Sequence, residues 1–286
     1  MILIETPLPW PKPVSDHPSL AGVFGLMRSA QVPTRILACE PYRAAVGSEA
    51  DPLVGLVIFR GNGATYVRSD LVLPPDEVFA AVKAECESAV LVADAVDSDR
   101  RSILVCTQGS HDICCGEMGT ALADVIVDDE AGGLDVDVFR VSHTGGHRFA
   151  PTALSMPDGR MWAYLTFDDV RSIMDRTGSP ANVQQKCRGW IGAKGGAGQA
   201  AERAVFATAD WEWDTKLRSV EIVETSEKAV GEDSTSWKTT VIAGQESWDI
   251  DVAVGRQVPS IACSQPGGRP AKPGREYIVI SEPQDE

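Results

Sequence analysis

The feature that most constrains this chain is one order of elements met twice. In the first pass, apolar residues 2–4 predict an opening strand, 20–29 a helix and 34–39 a second strand. Residues 54–59 and 64–67 then read as a hairpin around Gly61-Asn62-Gly63, because Asn and Gly tolerate positive φ. Pro75 opens a helix running to about residue 84, with Val78, Phe79 and Val82 at helical spacing. The second pass repeats the order: a strand at 102–105, a helix at 117–127, a strand at 136–141, a hairpin of 153–156 and 161–165 around Pro157-Asp158-Gly159, and a helix from about 168 to 174.

Strand–helix–strand–hairpin–helix is the order of a thioredoxin-like α/β fold, a mixed sheet faced by helices. The expected organisation is therefore a diverged thioredoxin-like unit at 1–96, a second such unit at 97–191, and an extension at 192–286 made of a helix and a β-rich segment. In that extension the glycine-rich run 192–198 reads as a flexible join into a helix at 199–207, since no clear strand leads into it and it lacks the phosphate-loop pattern. Strands are expected at 219–223, 236–242, 248–254 and 276–280, with Trp211, Trp213, Trp237 and Trp248 as packing residues.

Charge narrows the function. Among 286 residues, 41 Asp and Glu outweigh 26 Lys and Arg, a net charge of −15. That balance argues against a nucleic-acid binder, whose affinity rests on cations that neutralise phosphates. The most apolar stretches, such as 53–59, fall far short of the roughly 20 residues that span a bilayer, so no membrane segment is expected. The opening MILIETPLPWPKP does not read as a secretory signal. Seven cysteines at irregular spacing are unlike a secreted disulfide framework. The expected location is the cytoplasm, where thiols stay reduced.

Chemistry is concentrated in the second unit. Cys106 ends a strand within ILVCTQGSHDICCGEMG, and Cys115 follows after eight intervening residues at the start of a helix. His143 ends the next strand within VFRVSHTGGHRFAP, and His147 follows after Thr144-Gly145-Gly146. If the two strands are adjacent, the loops meet at one edge, and Gly145 and Gly146 allow the backbone to turn closely around a cofactor. Cysteines of a structural zinc site sit two to four residues apart. The wider gap suits a larger object such as a 2Fe–2S cluster, and replacing two thiolates by imidazoles raises its reduction potential.

These two segments, with the opening ILIETPLPWP and the later CRGWIG, resemble the sucrase/ferredoxin-like family, whose metal domain is similar to thioredoxin-like 2Fe–2S ferredoxins. The resemblance implies that Cys106 and Cys115 bind one iron and His143 and His147 the other. Cys114 adjoins Cys115, and the family's eight-residue gap favours Cys115. The first unit has Glu5 where the second has Cys106, and Cys39 and Glu40 near the place of His143, so it is expected to be scaffold or a partner face.

The resulting expectation is an electron-transfer protein with an unidentified redox partner. The competing reading is a zinc protein using the same Cys2His2 set. Thiol redox chemistry ranks behind both, since C-x-x-C is absent. A glycosidase needs two carboxylates flanking the bond, and no such pair stands out. Cys39, Cys86, Cys187 and Cys263, taken singly, read as packing residues. His111 lies between the two cysteines as a spare ligand or a donor to sulfur, and Arg148 as a surface charge or an offset to an anionic cluster.

Overall fold

Short apolar runs bounded by turn residues form most of the expected strands. In the computed structural model, residues 1–41, 47–48, 51–88, 100–129, 133–225, 235–262, 269–281 and 284–285 are described. Strand β1 (Ile2–Glu5) pairs in parallel with β2 (Ile36–Cys39), Ile2 opposite Ile36 and Ile4 opposite Ala38. A two-residue ladder, β3 (Gly47–Ser48) with β4 (Asp51–Pro52), precedes β5 (Val54–Gly61). Strand β5 runs antiparallel to β1 and forms a hairpin with β6 (Tyr66–Leu73). Helix α1 (Val78–Glu87) ends this first pass.

The second pass comprises β7 (Ser102–Cys106), a π-helical turn (Cys115–Gly119) running into α2 (Thr120–Asp128), β8 (Asp137–Val141), β9 (Ala153–Met156), β10 (Arg160–Trp162) and α3 (Phe167–Asp175). Then follow β11 (Cys187–Trp190), α4 (Gly195–Thr208), β12 (Arg218–Thr225), β13 (Ser236–Ala243), β14 (Glu246–Ala262), β15 (Arg269–Val279) and β16 (Gln284–Asp285). The chain divides into two compact units, one of 1–62 with 66–153 and one of 63–65 with 154–286. The expected segments 1–96, 97–191 and 192–286 describe recurrence along the chain, a different property from compactness.

In the first unit the strands lie in the order β7-β8-β2-β1-β5-β6, a mixed sheet. Strand β8 is parallel to β7 and antiparallel to β2. Because side chains alternate along a strand, Ile2, Ile4, Ile36, Ala38, Leu56 and Ile58 share one face, which Trp10, Leu20, Val23, Val78 and Val82 cover. The opposite face is also dry, with Leu3, Leu37 and Val57 buried. Burial on both sides explains why these strands are continuous apolar runs.

Three expectations need correction. Residues 20–29 form two 3-10 turns (Pro18–Leu20 and Val23–Arg28) instead of an α-helix, because Gly22 adopts φ 76° between them and breaks the helical path. The strand expected at 64–67 starts at Tyr66 and continues to Leu73. The helix expected from residue 199 begins at Gly195, so much of the glycine run is helix. Those glycines let α4 lie close on its sheet: a Cβ on Gly196 would fall 2.0 Å from the Tyr277 ring, and one on Gly198 2.9 Å from Ile222.

The second unit carries an antiparallel sheet of β12, β13, β14 and β15, with β16 paired to β14. Trp211 and Trp213 are buried, and Trp248 meets Trp213 edge-on at 5.2 Å, as packing residues should. Beneath α4 lies an ionic group with no exposed side-chain surface. Arg160 donates two hydrogen bonds to Glu202 (3.0 and 2.9 Å) and one to Asp214 (2.7 Å), while Arg218 approaches both acids. Arg160 also lies 3.5 Å over the Phe206 ring. Charges buried this deeply persist only when paired.

Candidate metal centre

The site begins with the register of two parallel strands. Cys106 is the last residue of β7 and stands opposite Val141, the last of β8. The two loops that follow therefore leave the same edge of the sheet, the adjacency the sequence required. Thr107 donates its N–H to the Val141 carbonyl (3.0 Å), and His143 donates its N–H to Oε1 of Gln108 (2.9 Å). Gln108 is buried, and its amide nitrogen also donates to the Pro11 carbonyl (2.8 Å). Lys12 reaches the carbonyl of His111 at 2.6 Å. The opening segment thus fastens the first loop from outside.

Glycines let this loop close on itself. A Cβ on Gly119 would lie 2.0 Å from the Cys106 carbonyl oxygen, and one on Gly116 would lie 2.5 Å from the Cα of Gly109. These contacts bring the π-helical turn against the end of β7, which sets Cys115 beside Cys106. π-helical turns often mark functional sites. Both cysteines are 1% exposed and pack against Ala150, with the half-buried Cys114 at their margin. In the second loop Gly145 and Gly146 take φ of 96° and 77°, the positive values for which glycine is suited.

The sulfur of Cys106 is an acceptor for several donors. Its thiol is drawn down to about 4, first by a hydrogen bond from the Cys115 thiol, against burial, and then by His143 and the backbone N–H groups of Thr144 and Gln108. Cys115 moves up, because giving up the proton it shares with Cys106 would place a second charge in the same buried spot. The pair therefore favours one thiolate at a point ringed by donors. Arg35 lies close enough for its charge to act on Cys106 and donates to the His143 carbonyl at 3.0 Å.

His143 is half-buried, and its Nδ1 is buried with no hydrogen-bond partner. Its ring stacks on His111 at 3.6 Å between centroids and 6° between planes. His111 is in turn held by Asp112, Nδ1 to Oδ2 at 2.7 Å, and Asp112 is buried. The structure thus brings Cys106, Cys115 and His143 together. The backbone of His147 opens a 3-10 turn (His147–Phe149), and its side chain lies outside the described residues, as does Cys263. Arg148 rests over the Phe149 ring at 4.4 Å. Arg35, Gln108 and Asp112 escaped the sequence reading. Arg35 precedes β2 in the other pass, and nothing in its local pattern points toward Cys106.

Sequence comparison bears on the same region. The profile of the family described as sucrase/ferredoxin-like matches residues 1–189. The chain belongs to this family. Among individual proteins, this family member is similar to the altered inheritance of mitochondria protein 32 of Debaryomyces hansenii, 33% identical over 93 residues, 30% of this chain and 34% of that relative. It is also similar to the protein of the same name from Meyerozyma guilliermondii, 30% identical over 96 residues, 31% of this chain and 34% of the relative. The match spans about a third of the length of these curated relatives. No solved structure matches. Among the described residues, no helix is long and apolar enough to cross a membrane.

Proposed function

We propose that this sucrase/ferredoxin-like protein is an electron-transfer protein that holds a 2Fe–2S cluster through Cys106, Cys115, His143 and His147. The observation that carries this reading is the meeting of two buried cysteine sulfurs with a histidine whose buried Nδ1 has no partner. The donor chemistry fits: thiolates and imidazoles are the ligands of such clusters, and a buried thiolate needs the N–H donors that Gln108 and Thr144 supply. The thioredoxin-like assignment belongs to the same proposal. It is supported by the order β2-β1-β5-β6, a parallel pair followed by an antiparallel hairpin.

The cluster, when bound, supplies one-electron exchange. The chain supplies the rest. Burial of Cys106 and Cys115 keeps water from the sulfurs, while Ala150 closes over them. Gln108 and Arg35 hold the backbone of His143 from its N–H and its carbonyl. Arg35 also places positive charge near Cys106, which favours acceptance of an electron. Imidazole ligands carry a second ring nitrogen, so the proposal includes proton-coupled redox, read as a potential that falls with rising pH. A separate redox protein and a compartment of reduced thiols complete the proposal, and among the described residues Cys39, Cys86, Cys106, Cys115 and Cys187 form no disulfide.

The test is a redox titration of the holoprotein beside His143→Cys. Exchanging an imidazole for a thiolate adds charge, so the variant should keep a cluster at a lower potential; Cys-only clusters of the plant type lie at about −400 mV and His-ligated ones at roughly −150 to +300 mV. An unchanged potential in a loaded variant would remove His143 from the ligand set.

A further inference from the structure

Three donor atoms at the site, from His111, Asp112 and His143, lie within 4.8 Å of one another, which invites reading them as a chelate. Ring geometry argues otherwise. An imidazole binds a metal in its own plane, where the nitrogen lone pair lies, at about 2.0–2.1 Å for zinc. Two rings 3.6 Å apart and within 6° of parallel direct their lone pairs along separate planes, so one ion cannot lie in both. His111 and His143 are therefore stacked partners and not joint ligands.

The His111 side of the stack is fixed to the chain at two points. His111 is fixed at Nδ1 by the buried Asp112 carboxylate, and Lys12 holds its carbonyl. Asp112 in turn accepts at its own carbonyl the N–H groups of Cys115 (3.0 Å) and Gly116 (3.2 Å), so it is built into the start of the cysteine-bearing turn. His143, by contrast, is hydrogen-bonded through its backbone to Gln108 and Arg35, while its Nδ1 has no partner. Backbone bonds set where the residue sits, and its side chain also hydrogen-bonds the Cys106 sulfur. A hydrogen bond at the ring edge leaves the tilt of the ring plane open, and the flat face of His111 limits that tilt.

We infer that His111 is a positioning residue, a shelf that fixes the ring plane of His143 at the metal centre while Asp112 locks the shelf to the turn carrying Cys115. The inference rests on the cluster reading, and it assigns to the residue between the two cysteines a role other than ligation. Groups that orient metal ligands matter measurably: their loss costs about 10–100-fold in metal affinity or activity.

The experiment uses anaerobically purified wild type, His111→Ala and His111→Phe, each shown to be folded by its thermal melt. Each is assayed for iron and sulfide, for iron loss to a chelator, and for nitrogen hyperfine couplings in the reduced state. His111→Ala should lose iron at least about tenfold faster and show spread nitrogen couplings. His111→Phe, which keeps a flat face without a metal-binding nitrogen, should stay within about threefold of wild type with its couplings intact, the recovery that an orienting face predicts. Wild-type couplings and iron retention in His111→Ala would overturn the shelf while leaving the cluster reading in place, as would His111→Phe failing as badly as His111→Ala. A wild type without iron and sulfide would overturn the cluster reading and the shelf with it.

Discussion

Replacing Gly119 by alanine perturbs the contact that assembles the site. The added Cβ would meet the Cys106 carbonyl oxygen at 2.0 Å, where ordinary contact begins at 3.4 Å, so the start of the helix or the end of β7 must yield by more than an ångström. Neither partner is a flexible side chain. Overpacking of this kind costs about 1–3 kcal/mol, which for a chain of this size lowers the melting temperature by roughly 3–10 °C. The same displacement separates Cys115 from Cys106, and metal sites tolerate about 0.2 Å of error in ligand distance. Gly119→Ala should therefore melt early and purify with little iron. Gly25→Ala is the control, because nothing lies within 4 Å of its Cβ and φ there is not positive; it should stay within about 0.5 kcal/mol of wild type. Circular dichroism melts and an iron assay read both variants. A Gly119→Ala protein with wild-type melting and full iron would refute the claim that close backbone approach builds the site.

Other outcomes follow from the same geometry. Cys115→Ser should abolish cluster binding while Cys114→Ser retains it, since only Cys115 is buried against Cys106; iron and sulfide assays decide, and the reverse pattern would make Cys114 the ligand. Arg160→Leu strands Glu202 and Asp214 in the interior and should cost about 3–5 kcal/mol in urea unfolding; a loss below about 1 kcal/mol would show that Arg218 suffices to hold both acids. Burial pushes the Asp169 carboxyl up, but hydrogen bonds from Lys186 and Thr166 outweigh it and hold its pKa low. A lowered folded value stabilises the protein fully above the unfolded pKa of about 3.9, and that stabilisation fades as pH falls through the folded value. Asp169→Ala should therefore lose about 0.5–1 kcal/mol near neutrality, and its deficit should shrink below pH 4; a deficit that persists in acid would rule out this linkage.

How much the sequence discloses depends on whether the signal is local. Strands such as β1, β2 and β7 were legible because they are short apolar runs ended by turn residues, whereas the capping box of Thr166 and Asp169 that starts α3 is seen in the structure. Residues 20–29 read as helix because hydrophobic spacing does not register the positive φ of Gly22, which divides the segment into 3-10 turns. The glycines of α4 were read as a join because close packing against Tyr277 and Ile222 is a property of the folded partner. At the site, the adjacency of β7 and β8 was legible in outline: Cys106 ends β7, His143 follows the end of β8, and Cys115 opens the turn into α2. Arg35 was not, since it comes from the pass that lacks the ligands, and only the pairing of β2 with β8 brings it near.

The central claim is that the two cysteines and two histidines hold a pair of irons with sulfide. Anaerobic purification, a visible spectrum, and iron, sulfide and zinc assays on one preparation test it most directly. The account predicts a coloured protein with sulfur-to-iron absorption bands and about two irons and two sulfides per chain. A colourless protein carrying one zinc and no sulfide would contradict it.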